Sequence, residues 1–284
     1  MTPRAATLLG LTAILMWSLL AALTVASGSV PAFQLAAMTF AVGAMVGFLT
    51  WIGRRNATRA LRQSPLAWMV GVGGLFGYHA LYFLALRLAP PAEAGLLNYL
   101  WPLLIVLFSA LLPGESLRAR HVAGALIGLA GLVVLFIGKG GGFSGLSPGY
   151  ALAFAAAFVW AGYSVASRRF AHVPSGAVAG FCLATSLLAG ALHLSTERTV
   201  WPQNPGQWAA LALLGLGPAG AAFFLWDHGV KRGDIRLLGV LSYAAPVLST
   251  LWLVAAGQAQ AGWPLAVACA MIVAGAVVAS GRRR

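Results

Sequence analysis

The chain has 284 residues, 60% of them hydrophobic and only 8% charged, with a mean hydropathy of +0.87. That balance leaves no material for a soluble domain and places the molecule in a lipid bilayer. The formal net charge of +13 would suit a nucleic-acid binder, but the basic residues stand in small groups at the ends of apolar stretches, with no aromatic platform between them. Anionic lipid headgroups on the cytoplasmic face are therefore the expected partner, and nucleic acid is not.

Ten apolar stretches follow in order: Ala5 to Ala26, Phe33 to Ile52, Leu66 to Leu88, Ala94 to Leu112, Val122 to Gly138, Tyr150 to Ala166, Ala177 to Leu194, Trp208 to Gly229, Leu237 to Ala256 and Pro264 to Ser280. Most approach the roughly 20 residues a helix needs to cross a hydrocarbon core, so the predicted fold class is an all-α polytopic membrane protein with ten transmembrane helices. With the N-terminus inside, 15 of the 18 Lys and Arg residues fall in inner loops, and only Arg87, Lys139 and Arg198 fall outside. The excess of cytoplasmic Lys and Arg places both termini in the cytoplasm.

The run after Arg4 is long for a signal peptide and is interrupted by Trp17 and Ser18, so it reads as an uncleaved first span. The polar connectors, Arg54 to Pro65, Lys139 to Pro148 and Ser195 to Gly206, are too short to carry a core, and residues 1–284 read as a single membrane domain. Cys182 and Cys269 lie inside predicted spans as small apolar residues, so no disulfide, metal or cofactor is expected.

The chain repeats itself. At an offset of 144 residues Gly71 matches Gly215, Gly73 matches Gly217, Arg87 matches Lys231, Tyr99 matches Tyr243, Pro102 matches Pro246 and Gly131 matches Gly275. One residue less aligns Trp17 with Trp160 and Gly114 with Gly257. Two five-helix units, 1–141 and 145–284, follow from this register. An odd number of spans inverts the second unit in the membrane, the plan of many secondary transporters, whose substrate site lies at the midplane where helices break.

The predicted breaks are Pro102 and Pro246, each about halfway along its span, where a proline removes the hydrogen bond to the carbonyl four residues earlier, at Asn98 and Ser242. Tyr78, His79 and Tyr82 cluster in the third span. Trp160, Tyr163, Ser164 and Ser167 share one face of the sixth, and Ser242, Pro246, Ser249 and Thr250 one face of the ninth, beside Tyr243. Asn98, Tyr99 and Trp101 in the fourth span and Trp17 and Ser18 in the first complete a set of wet stripes that a common cavity would explain. Gly217 with Pro218 forms a candidate hinge for gating, whereas the pairs Gly43/Gly47, Gly124/Gly128 and Gly176/Gly180 read as close-packing seams. Asp227, the one acid placed within a span, sits one turn before Lys231 and reads as half of an ion pair.

Without a central carboxylate there is little to hold a cationic drug, and without a central cation little to hold a phosphate. What remains suits a neutral zwitterion or a moderately apolar solute. The motif Asn98-Tyr99-Leu100-Trp101-Pro102, the first-span run Ala6 to Leu11 leading to Met16-Trp17-Ser18, and Phe158 to Tyr163 in the sixth span resemble the YddG-type aromatic amino acid exporters of the drug/metabolite transporter superfamily, built from two EamA-type repeats. The resemblance implies an inner-membrane carrier exporting aromatic and other neutral amino acids, with Trp17, Asn98, Tyr99, Trp101, Pro102, Trp160 and Tyr163 in the matching positions. A bacterial inner-membrane carrier without catalytic residues, working as a monomer, is the expectation. The competing readings are a flippase or exporter of another amphipathic metabolite or drug, and, more remotely, a membrane enzyme using His79, Asp227 and His228, for which no hydrolase motif is present.

Overall fold

The computed structural model of the chain describes residues 2–114, 116–143, 145–255, 257, 260 and 262–280. Glu115 and the terminal Arg282 to Arg284 lie outside the described residues. Among the described residues ten helices are long and apolar enough to cross a membrane: α1 (Pro3–Ala26), α2 (Ala32–Leu49), α3 (Pro65–Leu88), α4 (Pro91–Leu111), α5 (Ala119–Gly138), α6 (Pro148–Arg169), α7 (Ser175–Thr196), α8 (Pro205–Arg232), α9 (Ile235–Ala255) and α10 (Trp263–Ser280).

Several helices begin a few residues before the apolar stretch that announced them, because a polar cap and a proline start them. Ser64, Ser147 and Asn204 accept hydrogen bonds from the backbone N–H groups of Ala67, Gly149 and Gln207, and each is followed by a proline in the first turn. That combination satisfies one orphan donor and removes another.

The packing has an internal symmetry consistent with two inverted repeats. Helix α5 runs along α10 and α2 along α7, while α1 packs on the second half of α8 and α6 on the second half of α3. Exchanging the first five helices with the last five returns the same set of pairs. The α5/α10 seam is reciprocal at atomic level: a Cβ added at Gly124 would lie 2.5 Å from the Gly275 carbonyl oxygen, and one added at Gly275 would lie 2.6 Å from that of Gly124. In a bilayer, leucine gains little by leaving lipid for another helix, so close backbone approach and interhelical hydrogen bonds specify the pairing. Exposed Leu8, Met45, Leu126, Leu187, Leu213 and Val277 supply the apolar outer surface that lipid covers.

One end of the bundle is tied by Glu197, which accepts from the backbone N–H of Phe33 and Gln34 at the start of α2, and pairs with Arg87 of α3 and with His193 one turn before it. A carboxylate at a helix N-terminus meets both unpaired donors and the positive end of the helix dipole. At the opposite end, Asp227 and Lys231 of α8 form the expected i, i+4 pair at 2.8 Å, both buried.

Among the described residues five helices are interrupted: α1 at Leu19, and four others in two symmetric pairs. In α4 the helix stops after Asn98 and resumes at Trp101, and in α9 it stops after Leu241 and resumes at Ala244. The breaks therefore precede Pro102 and Pro246, which sit in the first turn of the resumed helix, where a missing N–H costs nothing. The expectation that each proline frees a carbonyl four residues earlier does not hold at Ser242. Its carbonyl accepts from the Ala245 N–H at 3.1 Å, because the chain tightens into a shorter turn there. The second pair is a π-helical turn at Gly73–Gly77 in α3 and another at Gly217–Ala221 in α8, which start 144 residues apart.

Candidate functional site

A cavity of about 430 Å³ lies among α1, α3, α4, α5, α6, α8 and α9. Its volume falls in the range of small-molecule sites. Trp17, Tyr78, His79, Tyr82, Asn98, Tyr99, Trp101 and Trp160 all line it, together with Pro218, Pro246, Ser249 and Thr250. The lining continues through Leu20 and Ala21 of α1, Pro91 and Ala92 at the start of α4, Phe136 and Lys139 at the end of α5 and Leu253 near the end of α9. The mouth therefore points to the end of the bundle where α5 and α9 terminate.

The floor is a cluster of indoles. The Trp17 ring lies 5.1 Å from Trp226, 5.5 Å from Trp160 and 6.5 Å from Trp101, and Trp160 lies 5.1 Å from Tyr78. Most contacts among these rings are edge-on or tilted, the arrangement their quadrupoles favour, worth about 0.5–1.5 kcal/mol per pair beyond area burial. Phe223 stacks on Phe40 at 5.3 Å, with the His79 ring edge-on to Phe40 at 5.0 Å. Stacked Tyr78 and Tyr82 form a side wall.

The α8 π-turn lines this cavity through Pro218 and Ala219, and the N–H of a cavity ring meets each of the two π-turns. In α8 the Ala222 N–H reaches back five residues to Gly217, and the Pro218 carbonyl accepts the Trp17 indole N–H at 3.0 Å. In α3 the His79 Nδ1 lies 2.7 Å from the Leu75 carbonyl, which can only accept, so the proton is on Nδ1. The irregular backbone thus positions two cavity rings by main-chain contacts, and π-turns of this kind are common at functional sites. Asn98, placed by the α4 break, donates from Nδ2 to the Tyr78 hydroxyl at 2.9 Å, while its buried amide oxygen has no hydrogen-bond partner among the described residues.

Other residues singled out by sequence lie outside the cavity lining. Ser164 accepts from the Trp226 indole at 3.0 Å, because α8 covers the face of α6 that carries it. Ser242 donates to the Leu238 carbonyl of its own helix at 2.7 Å. The Tyr243 ring fills the space over Gly128, where an added Cβ would lie 2.6 Å from it. Tyr163 packs over Gly74 and lines a second, water-sized cavity of about 10 Å³ with Ser167, Asp227 and Lys231. Pro102 is buried, and Gly217 opens the α8 π-turn whose next residue, Pro218, reaches the cavity.

Beyond the indole floor the bundle is sealed by basic side chains on backbone carbonyls. Arg168 donates to Val230 at 3.1 Å and Gly233 at 2.7 Å, Lys231 to Val173 at 3.0 Å, and Arg236 to Ser116 at 2.7 Å.

The EamA-like transporter family matches residues 4–137 and again 147–281. The chain belongs to that family. It is a multi-pass inner-membrane transporter protein and not an enzyme. It is 58% identical to the "Aromatic amino acid exporter YddG" of Ancylobacter novellus over 99% of this chain and 98% of that one. The protein of the same description in Salmonella typhimurium is 31% identical, over 88% of each chain. A solved crystal structure with 58% sequence identity superposes with a TM-score of 0.94, covering 98% of this chain and 97% of that one.

The transporter's cavity also contains residues that sequence reasoning passed over. Phe223 was legible through the repeat, since it stands 144 residues after His79. Leu132, Leu135 and Phe136 of α5 complete the wall, but nothing in an apolar run distinguishes a cavity face from a lipid face. Lys139, read as an outer-loop charge, turns back into the cavity and donates to the Thr250 hydroxyl at 3.0 Å.

Proposed function

We propose that this transporter exports aromatic and other neutral amino acids from the cytoplasm, exposing one central site alternately to each side of the inner membrane. The observation that carries the reading is the cavity itself, walled by Trp17, Trp101, Trp160, Tyr78 and Phe223, with a single charged side chain along its lining among the described residues. Rings of this kind cover an apolar or aromatic side chain, while Asn98 and the hydroxyls meet polar backbone groups. The description carried by the relatives in Ancylobacter novellus and Salmonella typhimurium is of the same substrate class.

The basic loops put both termini in the cytoplasm, next to anionic headgroups, so the cavity mouth faces outward and the sealed end inward. The chain acts as a monomer, with 1–141 and 145–284 as its two halves. The substrate-contacting group is Trp17, Tyr78, His79, Tyr82, Asn98, Tyr99, Trp101 and Trp160. Tyr163, Ser164, Ser242 and Tyr243 are their counterparts for the inward-open state. They stand 143 residues after Leu20 and Ala21 and 144 after Asn98 and Tyr99, four residues that line the outward cavity. The breaks before Pro102 and Pro246 and the π-turn at Gly217 and Pro218 are where the helices bend between states.

Purified protein in liposomes preloaded with phenylalanine or threonine is expected to accumulate the labelled amino acid by counterflow. Silence toward all twenty amino acids rejects the assignment.

A further inference from the structure

We propose a carboxylate-binding subsite at the mouth of the cavity, made by the Lys139 ammonium with the hydroxyls of Ser249 and Thr250. The subsite rests on the amino-acid reading above and names which part of the solute this wall takes.

Lys139 directly follows Gly138, the last residue of α5, and its side chain crosses to α9. There Nζ donates to Thr250 Oγ1 at 3.0 Å, and Thr250 donates in turn to the Pro246 carbonyl at 3.0 Å. The threonine is buried in the helix that resumes at Ala244, so this relay pins an otherwise flexible cation to one point on the wall. Ser249, one position earlier and also lining the cavity, offers a second hydroxyl on the same wall.

The cation is under-used where it stands. An ammonium has three donors, and Thr250 engages one. Among the described residues no carboxylate lies within ion-pair distance of Nζ, whereas Arg87 pairs with Glu197 and Lys231 with Asp227. Lys139 lies just beyond the membrane-spanning part of α5, and partial burial pulls its pKa below the ordinary lysine value. A charge that pays for desolvation without an anionic partner is stabilised when a ligand brings one.

The ligand group is a single carboxylate and not a phosphate. Lys139 is the one charged side chain on the lining among the described residues, so a dianion would enter with half its charge uncompensated. A zwitterion fits better: its carboxylate meets Lys139, and its ammonium keeps water or a ring face at the open mouth. Lys139 stays accessible to water, so the contact orients the solute and gives modest affinity.

The test compares labelled phenylalanine with phenylalaninamide, which lacks the carboxylate, in counterflow by wild type, Lys139→Met, Lys139→Arg and Thr250→Val. Wild type is expected to favour phenylalanine. Lys139→Met raises the KM for phenylalanine about tenfold, the size of one charge-assisted hydrogen bond, and leaves the amide nearly unchanged. Lys139→Arg restores most of the preference. Thr250→Val, which keeps the charge and removes its anchor, gives a smaller rise and serves should the methionine variant fail to fold. An unchanged phenylalanine KM in Lys139→Met, or equal losses for acid and amide, overturns the subsite while leaving amino-acid export intact. A wild type inert to every amino acid removes the export reading and the subsite with it.

Discussion

The α5/α10 seam and the α3/α8 pair obey the same internal symmetry and set their glycines in different backbone. In α5 and α10 the glycines lie within unbroken helices and bring two backbones together, with Gly124 and Gly275 each against the other's carbonyl. In α3 and α8 they lie where the helix loosens into a π-turn, at Gly73–Gly77 and Gly217–Ala221, and a cavity ring bonds to a carbonyl of each turn. The first arrangement makes a frame and the second makes a site. Glycine by itself specifies neither: Gly220 of the α8 turn also meets a neighbouring backbone, the Gly43 Cα, at 3.1 Å from an added Cβ, and what marks the site is the ring donor that reaches a carbonyl of the turn.

The comparison is broken most forcefully at the seam. Gly124→Leu has to displace the Gly275 carbonyl and Ala279, both within 3 Å of the new Cβ, so backbone and not a flexible side chain must give way. Overpacking of this kind costs about 1–3 kcal/mol where side chains can yield, and more here. Loss of the monodisperse peak in detergent chromatography is expected, while Gly77→Ala, whose added Cβ meets only Val159 at 3.7 Å, keeps it. Equal behaviour of the two variants would erase the distinction between frame and site.

Asp227→Asn has the next largest effect. It leaves the Lys231 ammonium buried with neutral acceptors, the new amide oxygen and the Val173 carbonyl, and without its counter-charge, and breaking a buried pair costs about 3–5 kcal/mol. The melting temperature of the purified protein is expected to fall, and Asp227→Asn/Lys231→Met to recover part of the loss. Counterflow measured below the lowered melting temperature should be largely retained, since the pair closes the far end of the bundle and does not line the main cavity. Complete loss of transport in folded Asp227→Asn would make the acid a coupling group instead.

Trp101→Ala sharpens the comparison from the other side. The indole contributes edge-on contacts to Trp17, Trp160 and Trp226 and lines the cavity. Transport of phenylalanine should weaken about tenfold, the size of one or two aromatic contacts, with the chromatographic peak preserved. Unchanged kinetics would take Trp101 out of the substrate's path.

Much of this was legible in the sequence because lipid imposes a strict rule. Every spanning segment must satisfy its own backbone, so ten apolar runs of helical length and a one-sided distribution of Arg and Lys give the fold class and the expected orientation. The repeat offset likewise pairs Asn98 with Ser242 and Pro102 with Pro246. A helical face could also be computed for α6, where Trp160, Tyr163 and Ser164 share one side.

Only the tertiary structure decided which of these faces meets the cavity. Trp160 opens onto it, Ser164 one turn later is covered by Trp226, and Tyr163 turns toward Asp227 and Lys231. On the alternating-access reading proposed above, two inverted copies of one pattern carry two sets of lining residues, of which a single conformation exposes one. The exact position of the breaks, the π-turns and the return of Lys139 into the cavity were also beyond the sequence. Each depends on which partner claims a backbone carbonyl or an ammonium, and such partners come from helices distant along the chain: Trp17 stands 201 residues from Pro218, and Lys139 stands 111 from Thr250. Local pattern fixes what must be buried from lipid; contact between remote helices fixes what is left facing water.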